Sequence, residues 1–363
     1  MLDGHRRTLG ADAPDTLRAG IELAAAVQAQ GRFDEAEQLH REALAGLTRS
    51  LGADHPETLI AASDLGLLLA ESGRYDDAER AFLAAIDGAR RALGESHPRT
   101  LVMMMDLANG RDGQGRYADA ERLHREVLRT AGDTLGADHP ITLAATNGLA
   151  TNLHRQGRYP EAEPLYRSAY EGRRAKLGVE HQDTQASINN LVQLLSALGR
   201  YDEATSLAAE LVETRRRLLG PDHPSTLVSM YGLAGLRSGQ GRADEALAVY
   251  RETTERMERV LGPDHPWTLA GRNGYAWLLL TADPTDLRDP QLALGLAEET
   301  CARSGRKNPY HLDTLALAWF RVGQTDKAIE AVREAIAVAP PENARLGDEL
   351  AAHLAGYLAG EGP

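Results

Sequence analysis

Residues 51–94 read LGADHPETLIAASDLGLLLAESGRYDDAERAFLAAIDGARRALG, and the fold is decided by the way this stretch recurs. Leu-Gly pairs begin at Leu9, Leu51, Leu93, Leu135, Leu177, Leu219 and Leu261, each 42 residues after the last. Asp54-His55-Pro56 returns as Asp138-His139-Pro140, Asp222-His223-Pro224 and Asp264-His265-Pro266, with variants at Asp12-Ala13-Pro14, Ser96-His97-Pro98 and Glu180-His181-Gln182. Gly-Arg-aromatic punctuation falls at Gly31, Gly73, Gly115, Gly157 and Gly199, and becomes Gly241-Arg242-Ala243 in the sixth unit. A strict period without insertions means stacked supersecondary units.

Each unit reads as two antiparallel helices. Asp54 or His55 caps the first, Pro56 sits where its missing N–H costs nothing, and Leu65, Leu68 and Leu69 form an apolar face. Gly73-Arg74-Tyr75 turns the chain. Asp76 is expected to cap the second helix, with Glu79 completing a capping box, and Gly94 to end it in the left-handed conformation. Ala78, Phe82, Ala85 and Ile86 line its inner face. No strand-like alternation with turn signals occurs, so the expected class is all-α.

Composition agrees with thin helical layers. Of 363 residues 42% are hydrophobic but only 5% aromatic, so the core must be built on Ala, Leu and Val. The net charge of −13 argues against a general nucleic-acid binder and against adhesion to anionic membranes. No apolar run approaches the ~18–20 residues needed to span a bilayer, and no signal-peptide pattern opens the chain, so a cytoplasmic location is expected. The single cysteine, Cys301, excludes an internal disulfide framework. The bias to Arg over Lys, together with abundant Ala and Gly, suggests a GC-rich bacterial coding sequence.

The order Leu65-Gly66, Gly73, Tyr75, Ala78, Phe82, Ala85 resembles the tetratricopeptide repeat. The 42-residue spacing, with its His-Pro-x-Thr-Leu opening and Leu-Gly ending, resembles the kinesin-light-chain type over roughly residues 10–280. Pro309 to Pro340 resembles the shorter 34-residue form through Leu315-Ala316, Trp319, Gly323, Ala328, Val332, Ala335 and Pro340. Asn273, Ala276-Trp277, Asp286-Leu287-Arg288-Asp289-Pro290, Ala293 and Leu312-Asp313-Thr314-Leu315 are similar to a tail of bacterial Ser/Thr kinases that carry such repeats. The resemblance implies a right-handed superhelical solenoid of antiparallel helix pairs.

The expected organisation is the tail of a preceding repeat helix (1–10), six 42-residue repeats (11–266), a seventh, irregular repeat (267–306), a 34-residue-type repeat (307–341) and a C-terminal capping helix (342–363). Leu2 to Gly10 fall in register on Ile86 to Gly94, which reads as the last half of a second helix and suggests a piece of a longer protein. Stacking through an uncapped N-terminal end is the rival reading, that of a self-assembly module.

Enzyme chemistry is not expected, nor any cofactor or metal. The evenly spaced His55, His97, His139, His181, His223 and His265 lie about a helix-pair thickness apart, far beyond shared coordination at ~2 Å. They read as helix caps. His40 and His124 occupy the position of Phe82, Tyr166 and Tyr250 and read as packing residues. Cys301 has no recognisable His partner, and Gly110 to Gly115 lacks the preceding strand and following Lys of a phosphate loop.

Function is expected on the concave surface lined by first helices. The centre of that stripe holds Ile21, Ser63, Met105, Asn147, Asn189, Tyr231 and Asn273. Asn109, Asp112, Thr151, His154, Arg155, Asn190, Gln193, Ser196 and Trp277 flank it. The family resemblance implies that Asn147, Asn189 and Asn273 clamp peptide backbone, since an amide offers donors and an acceptor together. Tyr231 and Trp277 would supply apolar anchors. Arg111 and Arg237 interrupt a column otherwise filled by Val27, Leu69, Leu153, Leu195 and Leu279. Early ends of their helices are expected to let them reach water, the costlier alternative being a buried pairing with Asp106 or Asp112. The expected partner is a protein or peptide, steered by the negative charge if basic. The chain itself is expected to be a monomer or weak homo-oligomer, the recognition arm of a larger bacterial signalling protein.

Overall fold

The computed structural model describes residues 2–341 and 343–362, with Asp3 described by its backbone alone. The chain forms two compact units, Met1–Asn190 and Leu191–Pro363. Among the described residues every regular element is helical. In the first unit α1 (Leu2–Leu9) precedes the pairs α2 (Pro14–Gln28) and α3 (Phe33–Leu51), α4 (Pro56–Glu71) and α5 (Tyr75–Leu93), α6 (Pro98–Gly113) and α7 (Tyr117–Leu135), and α8 (Pro140–Arg155) and α9 (Tyr159–Leu177). The division falls within α10 (Gln182–Ala197). The second unit continues with α11 (Tyr201–Leu219), the pair α12 (Pro224–Gly239) and α13 (Ala243–Leu261), then α14 (Pro266–Thr281), a 3-10 turn at Thr285–Leu287 and α15 (Pro290–Arg303). Shorter helices α16 (Pro309–Arg321), α17 (Thr325–Val338) and α18 (Ala344–Ala359) follow. Residue 342, where the capping helix was expected to begin, lies outside the described residues; α18 starts at Ala344 and is capped by Asn343, whose side chain accepts from the Leu346 N–H at 3.2 Å.

The repeated motif is a set of bonds. His55 Nδ1 accepts the Glu57 N–H at 3.3 Å, and the same bond forms at His97, His139, His181, His223 and His265. Pro occupies the first helical position, and the Thr58 hydroxyl donates back to the Gly52 carbonyl at 2.8 Å. Thr100, Thr142, Thr226 and Thr268 repeat that tie. The histidines therefore cap helices. The aspartate before them does other work: Asp54 binds Arg91 at 2.7 Å, near the end of α5.

Three expectations are corrected. Asp76 does not cap α5; the helix starts one residue earlier, Arg74 is its N-cap without a side-chain cap bond, and Glu79 pairs with arginines instead. Gly94 has φ +96° and ψ 163°, an extended conformation with positive φ open essentially to glycine alone, rather than the left-handed helical one. Nor do the helices holding Arg111 and Arg237 end early: α6 and α12 are 16 residues long, like α4 and α8. Arg111 is largely buried and binds Glu79 on α5 at 2.6 Å, not Asp106 or Asp112. Arg237 has a buried Nε without a hydrogen bond, 3.7 Å from Glu245.

Within each unit neighbouring helices pack in chain order, and first helices also touch the next first helix: α4 on α6, α6 on α8, α12 on α14. First helices therefore form the inner layer. In the first unit Leu65, Leu68 and Leu69 meet Phe82 and Ile86, with Leu101, Met104 and Leu107 beyond. Gly66 makes the room: a Cβ there would stand 2.7 Å from the Phe82 ring. In the second unit one cluster gathers about Tyr250 and another about Leu280, Cys301, Leu312, Val332 and Tyr357.

Helix propensity alone would make Gly66→Ala stabilising by about 1 kcal/mol. The buried ring reverses the sign, and a net loss of about 1–3 kcal/mol is expected in urea unfolding. Arg237→Leu should raise stability by about 1 kcal/mol in the same assay, because it replaces an unsatisfied buried donor with the residue the packing column otherwise holds.

Candidate functional site

The outer and inner faces differ in how their charges are used. On the second-helix side Arg74 binds Glu37 at 2.7 Å, Arg116 binds Glu79 at 2.6 Å and Arg158 binds Glu121 at 2.9 Å. Each arginine follows a turn glycine and reaches the preceding pair. Burial alone would raise the Glu79 carboxyl, but hydrogen bonds from Arg111 and Arg116 outweigh it and hold the group below its usual range.

The inner face of the first unit carries part of the expected site. Asn190 donates from its amide to Asn147 Oδ1 at 3.1 Å, so those two residues act as one group, and Asn189 beside them is half-buried. Thr151 donates to the Asn147 backbone carbonyl at 3.0 Å and accepts from the Tyr166 hydroxyl at 3.1 Å. His154 stands edge-on to Tyr159 and Tyr166, its centroid 5.2 and 6.1 Å from theirs, and burial, then Arg155, pushes its imidazole below the ordinary value. Arg155 is exposed.

The remaining expected residues lie in the second unit. Tyr231 packs edge-on to Tyr250 at 5.7 Å and to Trp267 at 6.2 Å, and Trp267, which the stripe did not include, is 42% exposed. Trp277 is 37% exposed, Gln193 is exposed, and Asn273 has a buried Oδ1 without a hydrogen bond.

Asp112 was expected to flank the groove and does not. It is buried, 2.5 Å from the Asn152 amide and 3.2 Å from His124 Nε2. Asn152 also donates to the Tyr117 carbonyl at 2.9 Å and accepts from Gln156 at 2.7 Å. The signal was present: Asn152 is the one polar residue in a column that otherwise holds Ala26, Leu68, Gly110, Leu194, Leu236 and Leu278. His124 is accordingly a buried hydrogen-bonding ring. Burial pushes the Cys301 thiol to about 11, so it stays protonated near neutral pH.

One feature of the inner face escaped the sequence reading. Between α4 and α6 a pocket of about 210 Å³ is lined by Ile60, Val102, Met103 and Ile141, with Ser63, Asp64 and Asp106 among its polar groups. The Ser63 hydroxyl lies 3.4 Å from Asp106 Oδ2. Burial raises both carboxyls. Asp106 reaches about 6, through burial first and then Asp64, with Ser63 opposing. Neither has an ion-pair partner among the described residues.

With this geometry established, the chain can be set beside known proteins. The tetratricopeptide repeat family model matches residues 15–91, 64–132, 113–175, 183–259 and 233–302. The chain belongs to the tetratricopeptide repeat family. No curated protein is significantly similar. Among solved structures it is similar to a putative kinesin light chain of Podospora anserina with nearly identical tetratricopeptide-like repeats. That match has 25% identity and a TM-score of 0.47, over 56% of this chain and 96% of that one. BtubC from P. vanneervenii matches with 19% identity and a TM-score of 0.52, over 69% of this chain and 94% of its own. A signal transduction ATPase with numerous domains from Pyrococcus horikoshii, bearing a tetratricopeptide repeat sensor, matches with 15% identity and a TM-score of 0.60 over 80% of this chain and 42% of that one. The last two share the fold of this repeat protein. Its architecture is that of a protein-interaction scaffold, and no helix among the described residues is long and apolar enough to cross a membrane.

The raised Asp106 carboxyl has a consequence for stability. A folded value near 6 against about 3.9 unfolded means the folded state binds more protons between those values, so stability falls as pH rises through that window. Asp106→Asn should therefore stabilise the protein at pH 7.5, by on the order of 1–3 kcal/mol, and have little effect at pH 4. Thermal melts at the two pH values check this.

Proposed function

We propose that this repeat protein is a non-catalytic recognition module that binds an extended segment of another protein along the inner face of its first helices. The observation that carries the reading is the contrast between the faces. The outer surface is stitched by its own arginine–carboxylate pairs, whereas Asn147, Asn189 and Asn190 cluster on the inner one, where α8 also lends Ile141 to a mostly apolar pocket whose two carboxylates have no ion-pair partner among the described residues. An amide pair suits an extended main chain of any sequence, because it supplies donor and acceptor at a fixed height. Thr151, His154 and Arg155 line the same helix, α8, one and two turns further along.

In the second unit we assign Gln193, Asn273, Tyr231 and Trp277 to a second contact set, with the exposed Trp267 added to it. Tyr231 is already held by Tyr250 and Trp267, which makes it a rigid anchor that orders little on binding. In the context we favour, the module is the recognition arm of a larger bacterial signalling protein. The signal transduction ATPase of Pyrococcus horikoshii, in which such repeats form the sensor, is compatible with that role.

The test is a peptide-array screen, with hits measured by calorimetry against wild type, Asn147→Ala, Asn189→Ala and the double variant. Each lost amide should cost about 0.5–1.5 kcal/mol. Retention of wild-type affinity by all three variants would remove the inner face of the first unit as the site.

A further inference from the structure

The cavities of this protein differ in one respect: whether their charges are already neutralised. The wide cleft of about 800 Å³ at the starts of α5 and α7 is lined by Arg74, Asp77 and Arg116, and Arg74 is tied to Asp77 while Arg116 is tied to Asp119. The cleft of about 420 Å³ beside Trp319 holds Arg306 bound to Glu334, and Lys327 placed 4.0 Å over the Trp319 ring. The pocket between α4 and α6 is different: Arg99 stands in its lining, yet Asp64 and Asp106 have no ion-pair partner among the described residues.

We propose that this pocket receives a basic side chain, lysine or arginine, from the segment bound along the first-helix face. Its aliphatic stem would lie against Ile60, Val102 and Met103, and its charge would sit between Asp64 and Asp106. The proposal rests on the extended-segment reading above and adds the chemistry of the residue recognised.

Three observations carry it. The walls are mostly apolar, which suits a long hydrocarbon stem that ends in a charge. Asp64 and Asp106 are the two carboxylates that line the pocket, and no group of three or more His, Cys, Asp or Glu side chains placed to hold a metal ion occurs among the described residues. Finally, Asp64 and Asp106 repel each other across a partly desolvated space, and an incoming cation relieves both the repulsion and the missing pairing. Arg99 at the rim does not do this, since it is exposed and its charge acts on Glu57. His40 stands 24 residues before Asp64, the register in which His124 meets Gly148, but burial lowers its pKa and keeps it neutral near pH 7.

The experiment uses the full chain with labelled Ile, Val and Met methyls and three small probes: the Nα-acetyl methylamides of lysine, arginine and norleucine. Lysine or arginine probe should shift the methyls of Ile60, Met103 and Ile141 saturably, with a dissociation constant about millimolar. Norleucine, which has the stem without the charge, should bind at least fivefold more weakly. Asp106→Asn and Asp64→Asn should each weaken the lysine probe at least threefold. Lowering the pH from 7.5 to 5 should do the same, as a proton takes up the Asp106 carboxylate. Norleucine binding as tightly as lysine, or lysine shifts unchanged in both variants, would overturn the proposal, as would silence at those methyls up to 50-fold the expected constant, at about 50 mM. The probes have no extended backbone, so failure of the Asn147 and Asn189 tests with lysine shifts intact would sink the extended-segment reading alone.

Discussion

The fold depends on what happens at each Leu-Gly junction. A 19-residue second helix must stop, and the next first helix must start a few residues later against the layer it has just left. Glycine with φ near +95° and extended ψ breaks the helix in a way that a side-chain-bearing residue resists. The threonine four residues after the aspartate then ties back to that glycine's carbonyl, and the histidine ring satisfies an orphan N–H at the new helix start. Both bonds close within seven residues. The hand-over between pairs is thus set locally, and the apolar faces need only be small and regular to stack.

That local control leaves two surfaces with different freedom. Second helices carry long arginines that reach the preceding pair, and their charges are consumed in the stack. First helices touch one another directly, which favours short side chains such as Ser63 and Asn147 and leaves shallow recesses between them. Charged residues in such a recess have no arginine ladder at hand. Asp64 and Asp106 are the result: burial raises both carboxyls, and neither has an ion-pair partner among the described residues.

The period, the helix pairs and the capping histidines were legible in the sequence because each is a local pattern. The sequence also put Asn147 at the centre of the first-helix stripe and Asn190 at its flank; their hydrogen bond, across 43 residues, is seen only in the structure. What the sequence did not disclose depends on distances between pairs. Arg111 finds Glu79 across the pair boundary, where only a three-dimensional register puts them together. Asp112 looked like a groove residue because its column is mostly polar elsewhere, with Gln28, His154, Ser196 and Ser238, yet Asn152, one pair on, draws it into the core. The pocket of Asp64 and Asp106 needs the spacing of two first helices, which no single repeat encodes.

The outer ladder also bears on how such a chain can change its length. Each arginine and its glutamate are separated by 37 residues, less than one period. Excising residues 75–116 would remove Glu79 and Arg116 together, leaving Arg74 with Glu37 and Arg158 with Glu121. Unequal recombination in steps of 42 residues is therefore electrostatically silent along this face. A deletion of another size that removes Glu79 but keeps Arg116, such as residues 75–100, leaves that arginine without its partner in the preceding pair.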